Sequence, residues 1–426
     1  MSVVFRKQIL FYTIGLGFLC LSCSKVPVNQ AANSSTSGVK IYGNSYGNFL
    51  MSCQPTADGG IMFGGYTLSD SVQTSKGFIQ KTDKNGNIKW YKQYGGANWD
   101  LFNAVHPTSD GGFIAAGGTT SYGNGLKDYN ADCYLVKTDG NGTVVWQKTF
   151  GGNYVDRFFD VAETPDNGFV AVGFIYNTVS HGNSTYVVKV DQNGNLLWSH
   201  TLFPNDYFSF GASVCVASNG NIGIAGYHVK SDLSSEQYIH YPAFILLNPK
   251  GIYLNSPFQI YSSFGYMPDL RTQIPEYEII YNPEKIIAVS DGFIFAVNIS
   301  GAVNSIELFK VDISGNVKWS KHFTGLAGCA LNDITINSTG GFLISGRTTD
   351  TSNIHHTLLL CTDASGNEIW ESHVPISGYT FWASGVVAMG NTYALGLNLS
   401  PVNTFQPDLF GLLFTDQNGK ILESSK

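Results

Sequence analysis

Residues 134–152 read YLVKTDGNGTVVWQKTFGG: an apolar run, a polar D-G-N-G, then a second run in which side chains alternate. Val144, Trp146 and Lys148 share one parity, which is the period-two signature of a half-buried strand. Gly142 supplies the positive φ that a tight turn requires, and the Asp139 carboxylate is placed to accept from the turn amides. The stretch predicts a β-hairpin carrying one large aromatic on its outer arm.

The pattern recurs along the whole chain. Anchored on D-x-x-G-x-x-x-W it appears at Asp83/Gly86/Trp90, Asp139/Gly142/Trp146, Asp191/Gly194/Trp198, Asp312/Gly315/Trp319 and Asp363/Gly366/Trp370. Two further copies, Asn248/Gly251 and Asp416/Gly419, have Asn255 and Glu423 in the Trp place. Roughly 25 residues before each anchor comes a second turn motif, DGGIMFGGY from Asp58 and DGGFIAAGG from Asp110 being the clearest. Each unit therefore holds four strands, placed in the second unit at about 101–108, 112–119, 132–138 and 143–150. Units of some 50 residues with four strands each predict an all-β chain, a seven-bladed β-propeller of four-stranded antiparallel blades. Tandem sandwiches need units of about 100 residues, and an open row of small sheets would leave bare edges. VKIYG from Val39 matches the outer-arm segment of the first hairpin, so the two chain ends are expected to meet in the last blade. KILES from Lys420 is read as the outer arm of the last hairpin.

The propeller occupies 39–426. Residues 1–22 read as a secretory signal, with Arg6 and Lys7 ahead of an apolar run at 9–19, too short for a permanent span. The run into Cys23 resembles a bacterial lipobox, which implies cleavage there, lipidation of Cys23 and a flexible tether over 23–38. The expected location is the cell envelope, lipid-anchored in the outer membrane, with membrane contact through the anchor. Removing Arg6 and Lys7 leaves 22 Lys and Arg against 31 Asp and Glu, and no basic cluster exists, which argues against nucleic acid as a partner.

The Asp-Gly turns lie at one end of the blades and are short and repetitive, as scaffold is. The links at the other end vary and are rich in aromatics, Asn and Asp. Candidate ligand-binding residues there are Trp99, Asp100, Tyr154, Asp156, Arg157, Tyr207, Tyr379 and Trp382. Asn48, Asp100 and Asp156 each precede a D-G turn by ten residues, a recurrence that also suits a blade-to-blade hydrogen bond. The five Trp of the hairpins are expected between adjacent blades. An insertion at 262–284 is either a tolerated loop or a lid. The D-x-N-G turns lack the closing Glu of a calcium loop, and no Cys/His spacing suggests zinc. No metal, cofactor or catalytic residue is assigned.

The combination DGGF…YLVKTDxxGxxxWxKxFGG resembles propeller repeats of bacterial and archaeal surface proteins of the quinoprotein-like, WD-like or bulb-lectin-like kind. That likeness implies a fold and not an activity. Quinoprotein dehydrogenases use adjacent cysteines, absent here, and sialidases an Arg triad; after processing the arginines are Arg157, Arg271 and Arg347. Three functions remain open: a non-enzymatic envelope module binding a protein or glycan, a polysaccharide-acting lyase or hydrolase with a site in the central depression, and a structural subunit of an envelope assembly.

Overall fold

A computed structural model describes residues 38–422, apart from 44–45, 70–73, 125–129, 179–181, 204–207, 233–236, 255–257, 260–284, 300–304, 324–329, 350–354, 375–378 and 402–407. Cys23, Tyr207, Cys329 and the insertion at 262–284 lie outside the described residues. Among the described residues, 28 strands form seven four-stranded sheets, paired antiparallel throughout. Blade two consists of Asp100–Pro107, Phe113–Thr119, Asp132–Thr138 and Val144–Phe150, within a residue of the expected bounds. The innermost strands of blades one to seven are Asn48–Pro55, Asp100–Pro107, Arg157–Glu163, Phe208–Val216, Lys285–Val289, Ala330–Ile336 and Tyr379–Met389. Each touches the innermost strand of the next blade, around the full circle. The molecule is a seven-bladed β-propeller.

Its apolar interior is divided among the seams. One buried cluster joins Met62, Ile79 and Tyr94 of blade one to Phe102, Phe113 and Tyr134 of blade two. Another joins Leu50 and Phe63 to Phe410 and Leu412 of blade seven, so the ring is closed by packing. Val39–Tyr42 takes the outer place of blade seven, with Val39 opposite Leu413 and Tyr42 opposite Phe410. The expected outer arm from Lys420 gives way to it: Ile421 makes one bridge to Thr415, and the Leu422 N–H donates to Phe414 O at 2.9 Å. The strand missing from that blade is thus supplied by the N-terminal segment, which satisfies the ladder groups that an edge would expose.

The hairpin aromatics do what the pattern implies. Trp146 lies against Gly194 in the turn of the following blade, and its Nε1–H donates to Gln192 O at 2.9 Å. Trp90 meets Gly142, Trp319 meets Gly366 and Trp370 meets Gly419 in the same way. In the turns, Asp83 Oδ1 accepts from the Asn85 and Asn87 N–H groups at 2.9 and 2.8 Å. The other turn aspartates repeat this, so these oxygens cap the turn amides.

A second recurring device links the two turn motifs. Lys137 on the third strand of blade two is 5% exposed, and its Nζ donates to Asp110 of the DGG turn at 2.8 Å and to Thr138 O at 2.9 Å. Lys81–Asp58, Lys189–Asp166 and Lys310–Asp291 repeat the pair. For Asp110, burial works upward, but the Lys137 ammonium and the Thr108 hydroxyl outweigh it and hold the carboxyl at about 2. A carboxyl held below its unfolded value of about 4 stabilises the fold above that pH and loses the contribution as pH falls through the folded value. Asp110→Ala is therefore expected to cost about 1–3 kcal/mol at pH 7, since it strands a buried ammonium. The deficit relative to the unsubstituted chain should shrink between pH 4 and pH 2, which urea unfolding at several pH values would measure.

Candidate functional site

Two places gather polar side chains: the variable end of blades two and three, and the wall of the central channel. The first begins with the Y/F-G-G that closes the hairpins of blades one and two. Gly151 has φ +134°, and a Cβ there would lie 2.3 Å from Asp156 Oδ2. The glycine lets the chain fold over the carboxylate. Asp156 Oδ2 accepts from the Gly152 N–H at 2.6 Å and Oδ1 from the Tyr176 N–H at 2.8 Å. Asp100 does the same one blade earlier, accepting from the Gly96 N–H at 2.7 Å, from Ser121 Oγ at 2.7 Å and from Thr119 Oγ1. Both aspartates are buried. The ten-residue recurrence is thus a cap on the link between blades.

Burial pushes the Asp156 carboxyl up to about 6; the Gly152 and Tyr176 amides pull against it, and the neighbouring Asp132 carboxylate adds to the rise. Burial likewise raises Asp100, against the hydroxyls of Thr119 and Ser121. Asp132, also buried, accepts from the Asn124 N–H at 2.6 Å. Arg157, half-buried at the start of its strand, lies over Gly118 of blade two, with Nε 3.3 Å from where a Cβ would stand. Burial raises the Cys133 thiol well above its ordinary value, the Asp156 and Asp132 carboxylates add to the rise, and the Arg157 guanidinium opposes it. Above this buried group Tyr154, 47% exposed, sits on Tyr176 with ring centroids 4.6 Å apart.

Of the eight expected residues, the structure therefore gathers Tyr154, Asp156 and Arg157 and adds Tyr176 and Asp132. Asp100 sits in the neighbouring link. Trp99 beside it is half-buried, its N–H donating to Thr120 Oγ1 at 2.9 Å and its O accepting from the Thr120 N–H at 2.7 Å. Tyr379 begins the inner strand of blade seven and packs on the core between blades six and seven. Trp382 pairs with Asn398 in that strand, and its side chain lies outside the described residues.

The channel wall holds the polar side chains that the sequence reading missed. Six of the seven inner strands carry a β-bulge, at the steps Leu50/Ser52, Phe102/Ala104, Phe158/Asp160, Gly211/Ser213, Leu331/Asp333 and Ala383/Gly385. The extra residue is half-exposed, and in several blades it or the residue after it bonds to the following blade. Asn103 Nδ2 donates to Phe158 O at 2.6 Å, Ser52 Oγ to Val105 O at 3.0 Å, and Asp333 Oδ2 accepts from the Val386 N–H at 3.0 Å. Asp160 is the most engaged. Its Oδ1 lies 2.8 Å from His106 Nε2 and accepts from the Val161 N–H, and its Oδ2 accepts from Ser213 Oγ and the Val214 N–H, each at 2.9 Å. Burial works upward on Asp160, but His106 and Lys285 prevail and hold it below its ordinary value; Asp333 stays above, with burial the larger influence. The set fastens blades two, three and four together.

No group of His, Cys, Asp and Glu among the described residues could hold a metal ion. Cys53, Cys133, Cys215 and Cys361 are free thiols, all raised by burial.

No protein-family profile matches the chain, and no curated protein matches it in sequence. Among solved structures it is similar to the β-propeller domain of the Trilobed protease from Pyrococcus furiosus, at 8% identity over 90% of this chain and 97% of that one, with a TM-score of 0.48. Drosophila Plexin A, solved in complex with Semaphorin 1b, is 9% identical over 90% and 88%, also at 0.48. A Bacteroides caccae protein of unknown function is 12% identical over 68% and 88%, at 0.39.

Proposed function

We propose that the protein is a non-enzymatic, lipid-anchored module of the cell envelope that binds a glycan through the variable ends of blades two and three. The observation that carries this reading is the exposed Tyr154 ring backed by Tyr176, beside Arg157 and the capped links that hold them. A flat aromatic face with a few fixed polar groups around it suits the apolar face and hydroxyl edge of a sugar ring. The rigid links keep the ordering cost of binding low. A protein segment is the alternative occupant of the same surface.

A polysaccharide-acting enzyme is the competing reading, favoured by the Asp156 carboxyl near 6. Both Asp156 oxygens are engaged by backbone amides, however, which supports a scaffold role for this group. The test is a glycan array with the chain from Ser37, followed by affinity measurement on the best ligand. Tyr154→Ala is expected to weaken binding about tenfold or more, equivalent to about 1.4 kcal/mol, and Arg157→Ala to do likewise. Binding unchanged in both variants would remove this surface from consideration, and bond cleavage in the bound glycan would move the protein to the enzyme class.

A further inference from the structure

The large apolar side chains left exposed are not scattered. Among the described residues, all but Tyr46, Tyr154 and Ile336 lie in the D-x-x-G turns or directly behind them. In blades two and three both parities of the outer arm are apolar: Val144 and Val145, then Leu196 and Leu197. In blade four the same place holds Tyr253 and Leu254, directly after Ile252, which is 59% exposed. Packing on the sheet requires only one parity. The corresponding pairs elsewhere are Ile88–Lys89, Val317–Lys318, Glu368–Ile369 and, in blade seven, Ile421–Leu422, so doubling of apolar residues runs through three consecutive blades and recurs where the N-terminal segment joins the ring. A continuous apolar arc at the outer edge of one rim calls for something to cover it.

The course of the chain indicates what that is. The described fold begins at Gly38, where a Cβ would stand 2.8 Å from Ile421 Cγ2 and 3.0 Å from Leu422 O, behind the turn of blade seven. The chain therefore enters the ring at the same rim as the arc. Gly38 lies 15 residues after Cys23, and that stretch would, as a coil, have a root-mean-square reach of about 20 Å. An anchored chain would thus hold this rim close to the bilayer at high effective concentration, where weak apolar contacts suffice. The rim carries both signs of charge, Lys84, Lys89 and Lys318 among the turn aspartates, so the attraction comes from apolar partition rather than from anionic lipid.

We propose that the D-x-x-G rim is a membrane-resting collar, with Val145, Leu197 and Ile252 at the lipid headgroup boundary and the variable face turned away toward its ligand. The inference rests on the lipid-anchor part of the proposed function and not on its ligand part. The ring closes within the described residues, so the chain from residue 23, carrying Cys23→Ala to remove acylation, retains the whole fold. That chain is mixed with phosphatidylcholine vesicles and with vesicles of dibrominated phosphatidylcholine. Trp146 and Trp198 directly follow Val145 and Leu197 and report contact by quenching. The expected result is co-sedimentation with lipid and quenched emission, with the partition coefficient lowered at least about tenfold by V145E/L197E/I252E and left unchanged by Y154A. Unaltered emission of the lipid-free triple variant shows that it is folded. Absence of quenching in the parent chain, or equal quenching in the triple variant, overturns the proposal. So does a change in molecular mass on substitution with no change in lipid partition, which assigns the arc to a second copy of the chain.

Discussion

Asp160→Ala is expected to lower the unfolding free energy by about 2–4 kcal/mol at pH 7, because four donors on three blades lose their common acceptor at once. The Val214 N–H and the Ser213 hydroxyl are buried and have no water to turn to; His106, 29% exposed, recovers some hydration. The sign with pH follows from the depressed carboxyl. Its contribution is fully present above the unfolded value of about 4 and disappears as pH falls through the lower folded value. The gap between parent and variant should therefore be wide at neutral pH and narrow in acid. Hydrogen exchange at Val161 and Val214 gives a local check that does not require two-state unfolding of so large a ring. A neutral-pH difference below about 0.5 kcal/mol would show that the channel wall is polar without being a clamp.

The difference between what the sequence displayed and what it concealed lies in the kind of signal. Turns declare themselves by residue type: Asp139 and Gly142 mark one hairpin bend, and the strands on either side of it lie where alternation places them. Trp146 and its counterparts share a parity, and their burial at the seams follows from it. The inner-strand bulges leave no such mark, since one extra residue in an apolar strand neither breaks its hydrophobicity nor adds a turn residue. Asp160 and Asp333 consequently read as isolated acids in apolar strands, although they occupy the same position in two blades. Asp100 and Asp156 were visible as a recurrence, but composition alone does not separate a cap from a ligand contact; the glycines ahead of them decide it by having room for a carboxylate and for nothing else.

One trace of the bulge was present, in the glycine near the end of the second motif: AAGG, AVGF, IAGY and ISGR. A Cβ on Gly117 would stand 1.9 Å from Leu101 O, on Gly173 1.9 Å from Arg157 O, and on Gly346 2.4 Å from Ala330 O. In five of the six bulged blades the bulge brings the inner-strand carbonyl against a glycine of the second strand, which has room for it; in blade seven Leu397 stands opposite Ala383 instead. Blade five makes the converse point: Lys285–Val289 pairs in unbroken register, and its second-motif run FAVN has no glycine, Val297 standing buried at the place of those glycines.

Gly173→Ala is accordingly expected to cost about 2–4 kcal/mol, as an overpacked contact that meets backbone on both nearest sides and that no rotamer can relieve. Gly111→Ala is the matched comparison. Its φ of +81° strains any side chain, but nothing lies within 4 Å, so about 1–2 kcal/mol is expected there. The two substitutions add the same methyl group, and the difference between them measures the bulge alone. Because the displaced carbonyl belongs to Arg157, G173A should also weaken the ligand contact at blades two and three, whereas G111A, on the opposite rim, should leave it intact. Denaturant unfolding of both variants, with binding measured on the same samples, decides the matter: equal destabilisation would mean that the strand accommodates the methyl group by straightening, and the bulge would no longer account for the glycine.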